Sequence, residues 1–87
     1  MMTGDIMEAF EEIDIHQMTK VQAIAAVDAK LKRVDSSVYS IRVIHGYRSG
    51  TALRDAVRSR YAKHPKVKRI ELGLNPGETT LILRELW

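Results

Sequence analysis

The sequence contains no cysteine among its 87 residues. A chain without thiols has no disulfide framework, no zinc knuckle and no thiol nucleophile, so its core is held together by packing alone. The lack of cysteine also fits a cytoplasmic location. The length allows one small domain with a modest core, and the hydrophobic content of 45% is normal for a folded globular chain.

Long hydrophobic runs are also missing. The longest apolar stretch, residues 21–27, is interrupted by Gln22 and is far too short to cross a bilayer. No basic segment followed by an apolar one opens the chain, so we expect neither a secretion signal nor a membrane partner. A Walker-type Gly-Lys-Thr loop is absent as well, and no ATP chemistry is expected.

Basic residues are missing from the start of the chain. All 14 Lys and Arg residues follow His16, whereas five of the 11 acidic residues precede it. From His16 onward, the chain has 14 basic and six acidic residues and therefore a net charge of +8, although the whole chain carries only +3. Such segregation favours a polyanionic partner bound through its phosphates, and an ordinary solvated surface is the alternative.

The apolar pattern predicts alternating strands and helices without repeats. Residues 5–10 are predicted as a short helical turn, and a first strand ends at His16. A capping box of Thr19 and Gln22 begins a helix. Its predicted apolar stripe consists of Val21, Ile24, Val27, Leu31 and Val34.

The second half repeats the alternation and then adds a hairpin. A strand over residues 38–44 precedes a helix over residues 51–63, which ends before Pro65. Residues 67–74 form a third strand with Ile70 and Leu72 inward. The turn Asn75-Pro76-Gly77 leads to a fourth strand, residues 79–86, with Leu81 and Leu83 on one side.

These elements predict a two-layer α/β sandwich in the order β-α-β-α-β-β. A right-handed crossover makes the first two strands parallel within a four-stranded mixed sheet. Two helices cannot cover both sheet faces, so we expect both to pack on one face and leave the other open. Residues 11–87 would form this domain after an N-terminal extension of residues 1–10, and the fourth strand is a candidate for an exposed edge.

Two histidines follow the first two strands, and they are the candidate catalytic residues together with Asp14. The carboxyl ends of parallel strands share one sheet edge, where open α/β sheets build their sites. Histidine takes and gives protons near neutral pH, as phosphodiester chemistry requires. Strand alternation directs Asp14 and His16 to the open face. It directs His45 towards the helices, and there the alternative role of His45 is to fix the loop. A twist or bulge at the end of the strand would turn the side chain back to the open face.

The loop after His45 supplies the candidate nucleic-acid-binding residues. Its glycines allow close approach of backbone to phosphate, although turn geometry alone would also explain them. Tyr47 could stack on a base. The arginines form a basic row that continues onto the second helix, with a solvated helix face as the alternative. The full set is Gly46, Tyr47, Arg48, Gly50, Arg54 and Arg58.

The chain resembles the small MutS-related, or Smr, domain family and would be a short stand-alone member. Ile13-Asp14-Ile15-His16 is similar to the family's Leu-Asp-Leu-His, and His45-Gly46 with the loop leading to Leu53-Arg54 is similar to its second motif. A weaker match is the glycine-containing turn before a threonine-rich strand. The resemblance covers the chain after Glu11. It implies an α/β sandwich that binds nucleic acid and either nicks DNA or cleaves RNA. Some members of the family act in association with ribosomes.

The sequence departs from the family pattern twice. Gln17 stands where glycine usually follows the first motif, and Arg48 replaces the second glycine of His-Gly-x-Gly. An arginine offers a charged fork instead of close backbone approach, so binding would be kept while catalysis is put in question.

Two functions therefore stay open: an endonuclease, and a non-catalytic module that binds nucleic acid or the ribosome. A protein-interaction domain that pairs through the open sheet face is a third. In the nuclease, one histidine would deprotonate the ribose 2′-hydroxyl and the other protonate the leaving oxygen, while Arg48 or Arg54 stabilises the phosphate. A metal-free site is favoured because only Asp14 lies there among the acids. One Mg²⁺ or Mn²⁺ held by Asp14, the histidines and water is the alternative.

The expected partner is nucleic acid, either RNA or structured DNA, in a monomer or weak homo-oligomer.

Overall fold

The computed structural model describes residues 9–47 and 50–85. Its elements are β1 (Phe10–Asp14), α1 (Lys20–Arg33), β2 (Ser40–Ile44), α2 (Ala52–Tyr61), β3 (Arg69–Glu71) and β4 (Glu78–Ile82). This order confirms the predicted β-α-β-α-β-β arrangement. The helical turn predicted over residues 5–10 is wrong at Phe10, which begins β1, and residues 5–8 lie outside the described part.

The four strands form one mixed sheet in the order β1-β2-β4-β3. β1 and β2 are parallel, as the crossover rule predicts, and the other two pairings are antiparallel. β4 lies between β2 and β3, so the expectation that it forms an edge is wrong. The turn after β3 folds β4 back along β3, and the opposite side of β4 then pairs with β2.

Both helices pack on one sheet face, as predicted. Alternation along the strands, continued one residue beyond β1, directs Ile15, Ile41, Val43 and Leu81 towards the helices, and each is 0% exposed. They meet a helical layer whose buried side chains are Ala23, Val27, Leu31, Val57 and Tyr61. This continuous apolar layer fixes the sheet under the helices and leaves the other face accessible.

α1 begins at the predicted capping box, but its apolar stripe differs from the prediction. The Thr19 hydroxyl accepts the Gln22 amide at 3.2 Å, and the Gln22 side chain accepts the Thr19 amide at 3.0 Å. Val21, assigned to the stripe, is 80% exposed, whereas Ala23 is 1% exposed. At 3.6 residues per turn, Val21 lies about 200° around the helix from Ala23, so the two side chains point to nearly opposite sides of α1.

β3 is shorter than predicted and ends before Leu72. That side chain was expected to point inward, yet it is 49% exposed. Gly73 follows with a φ of 56°, a left-handed conformation that ends an extended strand. Ile70 and Leu83 pack against the core as expected.

Within the described part of the chain, no helix is both long and apolar enough to cross a bilayer.

Candidate functional site

The structure brings the two histidine motifs together at the carboxyl ends of β1 and β2. The Ile15 amide donates to the Ile44 carbonyl at 2.9 Å, which continues the parallel pairing past β1. Gly46 has a φ of 73°, and a Cβ built there would lie 3.3 Å from the His16 Cβ. Glycine is therefore needed at position 46 both for its backbone conformation and for the close contact with the first motif.

Asp14 and His16 form a solvent-accessible pair. His16 Nδ1 lies 2.5 Å from Asp14 Oδ1, which also accepts the His16 amide at 3.0 Å. Their side chains are 48% exposed for His16 and 52% for Asp14. The hydrogen bond from the His16 ring, helped by the bond from its amide, lowers the pKa of Asp14.

This pair defines the tautomer of His16. A carboxylate only accepts, so Nδ1 carries the ring hydrogen in the neutral imidazole, and Nε2 carries the lone pair. Within the described residues, Nε2 of His16 has no hydrogen-bond partner. The free lone pair on an accessible ring is what a general base needs.

His45 is placed differently, because it is 3% exposed and both of its ring nitrogens are bonded. Its Nδ1 donates to the Gly46 carbonyl at 2.9 Å, and its Nε2 accepts the Thr79 hydroxyl at 2.9 Å. The Thr79 oxygen in turn accepts Arg58 Nε at 3.0 Å. Burial, with the nearby charges of Arg58 and Arg54, lowers the pKa of His45.

His45 therefore lacks a free ring nitrogen with which to serve as a second proton carrier. Its position on the helix side of the sheet, predicted from strand alternation, holds the loop after β2 in place. Thr79 is a partner that the sequence reasoning missed. It lies 34 residues further along the chain, and only its place in a threonine-rich strand after the hairpin turn gave a signal.

A cavity of about 790 Å³ opens beside the Asp14–His16 pair. Its lining includes the predicted residues His45, Gly46, Tyr47 and Gly50. The sequence reasoning did not assign the other lining residues to the site, although several follow directly after His16 or begin α2. These additional residues are Gln17, Met18, Lys20, Ile44, Ala52 and Leu53.

Lys20 brings a positive charge to the cavity lining, which also contains the carboxylate of Asp14. Lys20 is the first residue of α1 and lies where the amide end of the helix carries a partial positive charge. The first turn of α1 contains no acidic residue to offset that charge. An anion entering the cavity beside His16 is therefore attracted both by an ammonium group and by the helix terminus.

The predicted basic row is only partly available. Arg54 Nε lies 3.1 Å from Asp55 Oδ1, and Arg58 Nε is bonded to Thr79. Both are half-buried on α2, and neither belongs to the cavity lining. Arg48, predicted to replace the family's second glycine, lies outside the described residues.

The described residues at the cavity offer few ligands for a divalent cation. Within residues 9–47 and 50–85, no three His, Asp or Glu side chains converge on one point. Mg²⁺ prefers six oxygen ligands, and Asp14 is the single carboxylate at this cavity. The described residues therefore hold no ready ligand cage for Mg²⁺ or Mn²⁺.

The open sheet face carries charges that neutralise one another. Arg42 of β2 is paired with Glu12 of β1, and its Nε lies 3.9 Å from Glu78 of β4. Arg69 of β3 is bonded to Glu71 and Glu85 at 2.7 and 3.1 Å. A polyanion therefore gains less from this face than from the end of the sheet at which Lys20 lies.

Fold and site together define a two-layer α/β domain whose accessible Asp–His pair stands at the end of two parallel strands. The chain belongs to the Smr domain family, whose family model matches residues 13–78. This family is known generally as nucleic-acid-binding.

The solved Smr domain of Thermus thermophilus MutS2 is similar in structure, with a TM-score of 0.77 at 25% sequence identity. The match covers 86% of this chain and 99% of that domain. No curated relative matches the chain.

Proposed function

We propose that this protein binds nucleic acid and cleaves a phosphodiester bond, with His16 as the general base. The observation that carries the proposal is the Asp14–His16 pair, exposed in a cavity that also contains Lys20. The carboxylate orients the ring, and the cation beside it attracts a phosphate. Smr domains in general bind nucleic acid, and the MutS2 domain shares the fold.

The chemistry proceeds most simply on RNA. His16 Nε2 accepts the proton of a ribose 2′-hydroxyl, whose oxygen attacks the adjacent phosphorus. The imidazolium that forms is stabilised by Asp14 at 2.5 Å, while Lys20 stabilises the additional charge on the phosphate. The bond to the 5′-oxygen breaks and that oxygen takes a proton from solvent. A 2′,3′-cyclic phosphate and a 5′-hydroxyl are the products.

The test compares cleavage of end-labelled RNA and nicked or branched DNA by the parent protein and by His16→Ala. We expect His16→Ala to lose about 10²- to 10⁴-fold in rate, the usual contribution of a general base. His64→Gln is the matched control, because His64 lies beyond α2, where its ring contacts Tyr61 and accepts the Lys66 amide. Cleavage at the parental rate by His16→Ala would contradict the assignment of the base.

The same assay tests a non-catalytic binding module. That alternative is favoured by the engagement of both His45 nitrogens, which leaves His16 as the one imidazole with an unbonded ring nitrogen among the described cavity residues. A parent protein that binds RNA with steep salt dependence but leaves every substrate intact, with Mg²⁺, Mn²⁺ or EDTA, would establish the binding module. An EDTA-sensitive reaction would instead require a metal that the described residues do not cage.

A further inference from the structure

The cavity beside His16 has a wall that phosphate chemistry does not require. Its lining includes His16 and Lys20, which suit a phosphate, together with Asp14, which orients the His16 ring. The remaining surface includes large apolar side chains, although a phosphate gains nothing from apolar surface. These side chains are Met18, Ile44, Tyr47 and Leu53. A ligand that fits both parts has an anionic end and a flat apolar body.

Tyr47 lies at this wall with its ring supported on one side. A Cβ built on Gly77 would lie 3.2 Å from Tyr47 Cδ1, so the ring rests against the backbone of position 77. The Gly77 carbonyl accepts the His45 and Gly46 amides, each at 2.9 Å, and so holds the chain just before Tyr47. Even so, Tyr47 is 55% exposed.

A supported ring with an exposed surface is suited to stacking. Tyrosine has few rotatable bonds, so it loses little conformational freedom when a planar ligand covers it. Without such a ligand, an aromatic ring that is more than half exposed gains little from burial. The position therefore fits a ligand with a π-face more closely than it fits a role in the core.

We propose that this cavity is a nucleobase subsite, in which an unpaired base stacks on Tyr47 and against Met18 and Leu53. The inference rests on the proposed function, because the phosphate of the same nucleotide would lie beside His16 at the Asp14–His16 pair. A base inside a duplex has both faces covered by its neighbours and cannot enter the cavity. The site therefore selects a single strand or an unpaired nucleotide over a continuous duplex.

The test measures binding of three ligands of equal phosphate number: a single-stranded oligoribonucleotide, its duplex, and an oligomer of abasic sugar phosphates. The single strand contains 2-aminopurine, whose fluorescence is quenched when the base stacks. We expect the parent to favour the single strand and quench its fluorescence. Tyr47→Ala should weaken single-strand binding roughly 5- to 150-fold and abolish the quenching. Tyr47→Phe, which keeps the ring, should restore both.

The abasic oligomer separates stacking from backbone contact, since its binding should be unchanged by Tyr47→Ala. An equal loss for the abasic and base-containing strands would overturn the subsite, as would a duplex bound as tightly as the single strand. Binding and cleavage by the parent, unaffected by Tyr47→Ala, would overturn the subsite and leave the proposed function in place. A parent that binds none of the three ligands would contradict the proposed function and the subsite together. Thermal unfolding of each variant checks that the fold is retained.

Discussion

Asp14 accepts two hydrogen bonds from one neighbour, the ring and the amide of His16, and this local turn positions the proposed base. The same carboxylate geometry occurs at Asp35, which accepts the amide and hydroxyl of Ser37 at 2.8 and 2.5 Å. The two turns lie at opposite ends of α1. Only the first contains an imidazole, the side chain most often used for proton transfer in enzymes.

Asp14→Asn should lower kcat for RNA cleavage by about 10²- to 10⁴-fold while leaving KM nearly unchanged. An amide can still orient the ring, but it cannot stabilise the imidazolium that forms when His16 accepts a proton. Steady-state kinetics measure the effect. Asp35→Asn removes a carboxylate from an equivalent turn and should retain parental kcat, so equal losses in both variants would argue against a specific role for Asp14.

His45 makes folding stability depend on pH. Burial lowers its pKa in the folded protein below the ordinary value of 6.5, with Arg58 and Arg54 acting in the same direction and the Gly46 carbonyl and Glu78 acting against them. Below about pH 6.5 the unfolded chain binds a proton that the folded protein does not yet bind. The stabilisation is therefore complete above that pH and is lost as the pH falls from there towards the folded pKa.

We expect the unfolding free energy to fall as the pH is lowered below 6.5, by at most about 1.4 kcal/mol per pH unit, because one proton is involved. Urea unfolding at a series of pH values measures this slope. His45→Gln, which has no titratable group, should have a smaller slope than the parent. A parental slope in His45→Gln would contradict this origin of the pH dependence.

The alternation of strand residues was sufficient to predict which histidine is accessible. It directed Asp14 to the open face and His45 to the helix side, because successive side chains of a strand point to opposite faces. The partners of His45 could not be predicted in the same way. Thr79 reaches it only through the pairing of β2 with β4, and that register depends on the whole sheet.

At the level of elements, helix α1 begins where a local signal predicts it. The capping box uses contacts across three residues, so it can be read from the sequence without knowledge of the fold. The buried face of α1 was harder to predict, since an apolar residue at the end of a stripe can lie on either side of it. Val21 fits the predicted apolar stripe because its side chain is apolar, but the residue that is buried there is Ala23.

Thr19→Ala should destabilise the protein by about 1 kcal/mol, because it removes the acceptor for an orphan amide in the first turn of α1. Thermal or urea unfolding measures the loss. Thr51→Ala is the comparison variant, since Thr51 also precedes a helix but caps no backbone amide, and its hydroxyl donates instead to the exposed Asp55 carboxylate at 3.0 Å. A Thr19→Ala protein as stable as its parent would show that solvent replaces the cap without cost.

Across the whole molecule, folding removes much of the charge segregation seen along the sequence. Acidic residues from the start of the chain lie against later bases: Glu11 accepts Lys30 at 2.8 Å, and Glu12 is paired with Arg42. Asp28 binds Arg60 at 2.7 Å and also accepts the Tyr61 hydroxyl at 2.7 Å, which ties the two helices together. The positive block of the sequence is therefore not one continuous surface, because pairing depends on contacts far apart in the chain.

Lys20 and Arg42 differ in how available their positive charges are to a polyanion, since each carries one charge in a different setting. Lys20 lines the cavity and has no ion-pair partner in the described part of the chain, whereas Arg42 is held between two carboxylates on the open sheet face. Only a cation that contacts phosphate releases counterions on binding, so only its removal changes the salt dependence of affinity.

Lys20→Gln should reduce the slope of log Kd against log salt concentration by about 0.7 for single-stranded nucleic acid, or about 0.9 for duplex DNA. Arg42→Gln removes the same charge and should leave the slope unchanged. Titrations over a range of salt concentrations measure both. A slope that falls in Arg42→Gln but not in Lys20→Gln would place the nucleic acid on the open sheet face. The proposed approach of the phosphate to His16 would then be wrong.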